Sequence, residues 1–281
     1  MIRVLSKVWM SVVLLSAGPV LHAQSLETTV SFAKPLLNAH AHNDYEHTRP
    51  LLDALGCGFT SVEADVFLVE GQLLVAHNVL QVSNARTLEK LYLQPLQERA
   101  KQNGGRIYKD GPTVTLLVDI KTNGKAAYAA VDELLAKYDS LVSVTTGGEH
   151  TEKAVTVIIS GDRPIQEIEE SAPRRAGIDG RLSDLDSDKS MDLLPLISDN
   201  WTTHFRYRGV GTMSDKERKK LHDIVAQVHS KGRRIRFWAT PENPALWQEL
   251  KAAGVDLIGT DDLEQLSKFL RSSESRNRID H

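Results

Sequence analysis

The chain has 281 residues, with 34 Lys and Arg against 37 Asp and Glu, and a formal net charge of -3. At 41% hydrophobic and 25% charged it has the make-up of a globular protein, which excludes a collagen-like, low-complexity or disordered chain. The near-neutral balance argues against a basic nucleic-acid binder. A lone cysteine, Cys57, excludes an intramolecular disulfide and a thiolate zinc cluster.

The first residues read as an export signal. Arg3 and Lys7 precede an uncharged apolar run over 8–17, Gly18 and Pro19 break it, and Leu21-His22-Ala23 offers a small residue before a cut. The run is too short to span about 30 Å of hydrocarbon. No other segment is long and apolar enough to cross a bilayer. The expectation is a signal peptide over 1–23, a mature barrel domain over 24–271 and a polar tail over 272–281, in an exported protein that is periplasmic or secreted.

Beyond the signal, β-rich runs alternate with helical patterns. Residues 36–39 lead into a polar cluster, and 49–56 reads as a short helix. Residues 60–69 form a strand that Gly71 turns back into 72–76, and 87–101 has helical periodicity. A buried strand over 113–120 (TVTLLVDI) is followed by a helix from Gly124 to Tyr138, then by a strand over 154–159 (AVTVII). Residues 193–197 suggest a strand weakened by Pro195, and 162–200 as a whole carries too little pattern to count strands. An amphipathic helix over 214–231 stops at Gly232. A strand over 233–238, a helix over 244–253, a strand over 255–258 and a helix over 263–270 follow.

Such alternation means parallel strands covered by helices. About eight units in ~250 residues predict an α/β chain folded as one (β/α)8 (TIM) barrel. A doubly wound open sheet is the competitor, but no glycine-rich phosphate fingerprint follows the first strand.

In a (β/α)8 barrel, reactive groups sit at the C-terminal ends of strands. Those ends carry His40-Ala41-His42-Asn43-Asp44, Glu63-Ala64-Asp65, His77-Asn78, Asp119-Ile120-Lys121, Ser160-Gly161-Asp162-Arg163, Trp238 and Thr260-Asp261-Asp262. Polar groups at nearly every end imply a common mouth. Glu63 and Asp65 are two apart on a strand and share a face. Two carboxylates pointing together resist burial unless a cation joins them, and a hard divalent ion with oxygen ligands is the economical answer. Asp119, at the end of an apolar run, is the natural third carboxylate. Lys121 shares its strand face and suits either a substrate oxygen or an ion pair with a nearby carboxylate. Histidines shuttle protons near neutral pH. His42 and His77, beside one cation on Glu63, Asp65 and Asp119, supply what cleavage of a phosphodiester asks for: a base, an acid and positive charge on the phosphoryl oxygens.

The stretches AHNDY (41–45), RPLLDAL (49–55), SVEADV (61–66) and LVAH (74–77) resemble the phospholipase-C-like phosphodiesterase superfamily, closest to the altered inheritance of mitochondria protein 6 type. LVDIKT (117–122) and the segment from Arg236-Phe237-Trp238 to Gly259-Thr260-Asp261-Asp262 continue the likeness. The resemblance implies a (β/α)8 barrel that is a phosphoric diester hydrolase acting on a small-molecule or lipid phosphodiester. It implies catalytic histidines at His42 and His77, and one divalent cation, Mg2+ or Ca2+, on Glu63, Asp65 and Asp119. Lys121 and Trp238 fall on substrate-lining positions. His42 fits the motif better than His40, and His40 is expected to face the other side of the strand. Asn43 stands where glycerophosphodiesterases have Arg, their Pro-Glu-Asn-Thr sequence is missing, and Asn78 follows His77 in place of Asp. These departures weaken a glycerophosphodiester assignment without removing the chemistry. Two rivals stand beside this reading. One is an amidohydrolase-type hydrolase using the His40/His42 pair for metal; the other is a secreted barrel that binds a ligand without turning it over.

Overall fold

A computed structural model of the chain describes residues 33–277. The expected signal segment lies outside the described residues. Eleven strands are present among them, in chain order β1 (Leu36–Ala41), β2 (Phe59–Val69), β3 (Gln72–Val75), β4 (Val114–Ile120), β5 (Val144–Thr146), β6 (Glu149–Thr151), β7 (Val155–Gly161), β8 (Ala176–Gly180), β9 (Leu196–Asn200), β10 (Arg234–Trp238) and β11 (Leu257–Thr260). Eight of them, all but β3, β5 and β6, pair in parallel, and the sheet closes because β1 pairs with both β2 and β11. This is the expected (β/α)8 barrel, a single domain.

Helices return the chain between strands: α1 (Leu52–Cys57), α2 (Gln94–Gln102), α3 (Gly124–Ala136), α4 (Ile165–Glu170), α5 (Trp201–His204), α6 (Asp215–Ser230), α7 (Pro244–Ala253) and α8 (Leu263–Asn277). Their ends follow local chemistry. Ser214 accepts from the Glu217 N–H ahead of α6, and Asn243 accepts from Leu246 N–H ahead of α7, which has Pro at its first position. The β8–β9 connection holds only a 3-10 turn, Leu182–Asp184.

Strand alternation sorts the side chains into two populations. Outward residues such as Val62, Ala64, Val66, Leu116, Val118, Val157 and Ile159 join the apolar faces of the helices in the main core. Each buried aliphatic side chain there contributes about 1.5–3 kcal/mol. Inward residues low in the barrel, Leu117, Ile158, Leu196 and Leu257, form a separate small cluster. Above them the inward positions are polar.

Three features depart from the sequence expectation. β8 lies inside the poorly patterned stretch, with the sequence AGIDG. A Cβ at Gly177 would sit 2.7 Å from Pro195, and one at Gly180 would sit 2.7 Å from Ile197. Close approach, and not hydrophobicity, selects these residues. The helix expected over 87–101 is split into a π-turn over Glu89–Leu93 and then α2. Pro95 has no N–H to give Leu91, so the wider turn absorbs the missing bond. α8 continues past Leu270 into the expected tail.

β2 is the longest strand. It outruns the barrel and folds back on β3 as an antiparallel hairpin. The two turn residues, Glu70 and Gly71, both have positive φ, 48° and 77°. That is the hairpin geometry matching the strand twist. It brings the chain after β3 back beside Asp65, whose carbonyl accepts from Ala76 N–H at 3.2 Å. His77 therefore arrives at the mouth from outside the barrel wall.

Candidate active site

Asp65 and Asp119 are register partners on neighbouring strands β2 and β4. Glu63, Asp65 and Asp119 each offer an oxygen, and these atoms lie within 4.8 Å of one another. Glu63 is buried and receives Arg236 Nη2 at 2.8 Å and His40 Nε2 at 3.0 Å. Burial alone would raise its pKa, but the Arg236 guanidinium and the His40 hydrogen bond hold it well below the usual carboxylate range.

His40 does not face the other side of β1. Residues 40 and 42 are two apart and share the inward face, and His40 is fully buried against Glu63. Burial, helped by Arg236, takes its pKa down to about 3, so the ring is neutral. Nε2–H donates to Glu63, and Nδ1 accepts from Ser61 Oγ at 2.7 Å. Both nitrogens are committed, so the H-x-H metal pair of the amidohydrolase rival is not formed.

Asp65 and Asp119 share the Lys121 ammonium, with Nζ 2.7 Å from Asp65 and 3.2 Å from Asp119. Burial still pushes Asp65 up to about 6 against the pull of Lys121, and raises Asp119 for the same reason. Burial would lower the Lys121 pKa, yet the two carboxylates outweigh it and raise it. Asp65 Oδ1 is buried with no hydrogen-bond partner. A carboxylate oxygen in that position is costly unless a cation meets it. Three convergent carboxylates with one orphaned oxygen fit a hard divalent ion. Lys121 lies within this acidic group, where the ion-pair alternative placed it.

The two histidines flank the acids. His42 follows β1, and its Nδ1 is 2.8 Å from Asp261 Oδ1 at the end of β11. Burial pulls its pKa down, but the Asp261 hydrogen bond and the Glu63 charge prevail and leave it raised. The same contact lowers Asp261 against its own burial. Asp261 is itself held by Glu242, which accepts from Asp261 N–H at 2.8 Å and from the Thr260 hydroxyl at 2.5 Å. Among the described residues, no such carboxylate lies in hydrogen-bond range of His77. Its Nδ1 is 3.0 Å from the Tyr45 hydroxyl and 3.8 Å from Asp65. Tyr45 OH also reaches Asp65 Oδ2 at 2.5 Å and Asn43 Oδ1 at 2.8 Å. The rings are 37% exposed at His42 and 58% at His77, open enough to meet a ligand.

Trp238 ends β10 and is 38% exposed at the rim, which does not suit packing beneath the turn. Ala239 behind it has φ 54°, uncommon for alanine, and takes the chain out of the barrel at once.

Four residues without an expected role belong to this site: Tyr45, Arg236, Glu242 and Asp261. Arg236 and Asp261 carry a usable signal, since each shares inward parity with its strand's other site-facing positions. Tyr45 lies in a 3-10 turn and Glu242 in a loop, so strand alternation says nothing about either.

Comparisons with known proteins bear on this arrangement. An AIM6-like phosphodiesterase domain matches residues 33–178, more than half of the chain. The chain belongs to the AIM6-like phosphodiesterase family. The glycerophosphoryl diester phosphodiesterase family also matches, over residues 234–264. Altered inheritance of mitochondria protein 6 from Eremothecium gossypii is 30% identical over 271 residues, covering 83% of this chain and 69% of that protein. A homolog from Arthroderma benhamiae is 26% identical over 260 residues, covering 80% of this chain and 81% of its own. The crystal structure of a glycerophosphodiester phosphodiesterase from Parabacteroides distasonis matches with a TM-score of 0.53 at 16% identity. It covers 86% of this chain and 100% of that one, a likeness of fold. The first family match holds His42, Tyr45, Glu63, Asp65, His77, Asp119 and Lys121; the second holds Arg236, Trp238 and Asp261.

Proposed function

We propose that this family member is a metal-dependent phosphoric diester hydrolase, with His42 and His77 as its acid–base pair and Glu63, Asp65 and Asp119 as ligands of one divalent cation, magnesium or calcium. The observation that carries the reading is the carboxylate triad within 4.8 Å, flanked by two accessible histidines. A bound cation would supply positive charge for the phosphoryl oxygens.

The chain's own residues divide the remaining tasks. The Tyr45 hydroxyl has one proton, and its shortest contact is Asp65 at 2.5 Å. His77 Nδ1–H then donates to the tyrosine oxygen, which leaves Nε2 with a free lone pair. His77 is the base on the attacking oxygen. His42, backed by Asp261, favours its protonated form and is the acid on the leaving oxygen. Displacement at phosphorus needs these groups to act from opposite sides of the phosphorus; His42 follows β1 and His77 follows β3, two strands that pair with different lengths of the same edge of β2. Trp238 lines the rim for the apolar or ring portion of a small-molecule or lipid substrate. Lys121 fixes the two carboxylates and carries the remaining charge towards substrate. His40, Ser61 and Arg236 hold Glu63 ionised and oriented.

The test is a panel of glycerophosphodiesters and lysophospholipids with added magnesium, read by phosphorus NMR. Cleavage that stops in excess chelator and returns with magnesium is expected; full activity in chelator overturns the metal reading. Export of the chain belongs to the same proposal. Amino-terminal sequencing of the native protein should begin near Gln24, and an intact Met1 on exported protein overturns it. No described helix is long and apolar enough to cross a membrane.

A further inference from the structure

Across the mouth from His42, the ends of β7 and β8 bring two arginines together. Arg163 Nη1 donates to the Asp179 carbonyl, and Arg181 Nη1 donates to that same oxygen at 3.1 Å. Arg181 Nη1 also meets Asp179 Oδ2 and the Gly180 carbonyl, each at 2.9 Å, and Ser198 Oγ at 3.4 Å. The Asp179 carboxylate is buried and already accepts from Ser160 Oγ at 2.8 Å and Ser198 Oγ at 2.6 Å. Arg163 has no carboxylate within ion-pair distance among the described residues. The other acids of these loops are turned to backbone N–H groups, and Asp199 also meets His204 Nε2 at 3.2 Å. Asp162 accepts from Gly124 N–H, Asp184 from Arg181 N–H, and Asp199 from Leu182 and Asn200 N–H.

Two guanidiniums converging on one neutral oxygen is an unfavourable arrangement by itself. Burial pulls the Arg163 pKa down, and the neighbouring Arg181 charge pulls it further. Each fork keeps N–H groups that no described acceptor takes, and both side chains are half-buried. Such forks match phosphate and carboxylate geometry. Their position is also informative. Asp162 N–H donates to the Ile120 carbonyl, and a Cβ at Gly161 would collide with Asp119. The loop is thus pressed against the third carboxylate of the triad. β7 adjoins β4 and β8 adjoins β7, so the arginines stand one and two strand spacings, about 4.8 Å each, from the strand of Asp119.

We propose that Arg163 and Arg181 form an anion subsite that receives a second phosphate or carboxylate of the substrate, a few bonds from the scissile phosphorus. This rests on the phosphodiesterase reading and narrows it to diesters that carry another anionic group.

The test has a binding arm and a turnover arm, both on the full chain in magnesium buffer. Titration calorimetry compares inositol 1,4-bisphosphate with inositol 1-phosphate. The wild type should favour the bisphosphate by roughly tenfold to a hundredfold, the worth of one or two charge-assisted hydrogen bonds. Arg163→Gln keeps a donor for the Asp179 carbonyl and should erase the preference; Arg181→Lys serves as a second variant if that one does not fold. The turnover arm compares glycerophosphoinositol 4-phosphate with glycerophosphoinositol and should show the same ratio in kcat/KM. Equal binding of the two probes by wild type, or a preference that survives the substitution, overturns the subsite even if both diesters are cleaved. A preference that is lost in the variant, without cleavage of either diester, sinks the phosphodiesterase reading and leaves the subsite standing.

Discussion

His42 and His77 border the same carboxylates on opposite terms. His42 extends a barrel strand, and a carboxylate backs its ring through a chain of fixed groups, Glu242 to Asp261 to Nδ1. His77 hangs from a hairpin outside the barrel, and a neutral hydroxyl meets its ring. Carboxylate backing stabilises an imidazolium; phenol backing fixes a tautomer without adding charge. Two identical side chains thereby rest on different supports, one charged and one neutral.

The strongest test of that asymmetry removes each ring. His42→Ala and His77→Ala should each lower kcat by ~10²–10⁴. The double variant should be far less than multiplicatively worse, because the two act as a unit. A nitrophenyl diester, whose leaving group needs no proton, should rescue His42→Ala and not His77→Ala. The opposite pattern reverses the assignment.

Asp261→Asn addresses the support of one side alone. It removes the charge that raises the His42 pKa, so the ring should titrate lower in proton NMR, and the alkaline limb of the rate profile should move to lower pH. The folded pKa of His42 lies above its free value. Its contact with Asp261 therefore adds stability that is complete below pH 6.5 and fades as pH rises through the folded value. Melts at pH 5 should fall more in the variant than melts at pH 8, and an equal loss at both would refute the linkage.

Tyr45→Phe probes the other support. Losing the hydroxyl should cost roughly tenfold in kcat without moving the His42 titration. A shift at His42 would join the two sides that the comparison separates. Trp238→Ala should have the smallest effect, a few-fold rise in KM with little change in melting temperature, since the ring is partly exposed. A large melting shift with unchanged kinetics would favour packing.

Much of this site was legible because carboxylates inside apolar strands have few structural uses. Glu63, Asp65 and Asp119 stood out on that ground, and His42 and His77 by following strand ends. His40 is expected to face away from the barrel, yet strand parity puts it on the same inward face as His42. Arg236 carries no sequence signal of its own beyond strand parity. It sits in an alternating strand that reads as half-exposed, while its partner Glu63 is 173 positions away. β8 gave no pattern because its glycines answer to the bulk of Pro195 and Ile197 on a later segment. Tyr45 looked like an ordinary aromatic. Only the hairpin geometry that returns His77 to Asp65 reveals what its hydroxyl touches.

The leucine and isoleucine plug formed by Leu117, Ile158, Leu196 and Leu257, with Arg234 bonded across to Thr115 at 2.9 Å, has a consequence for traffic. It makes the barrel a blind-ended well. On the proposed hydrolase reading, substrate, water and both products would share a single opening. A product that lingers at the rim would then block the next substrate.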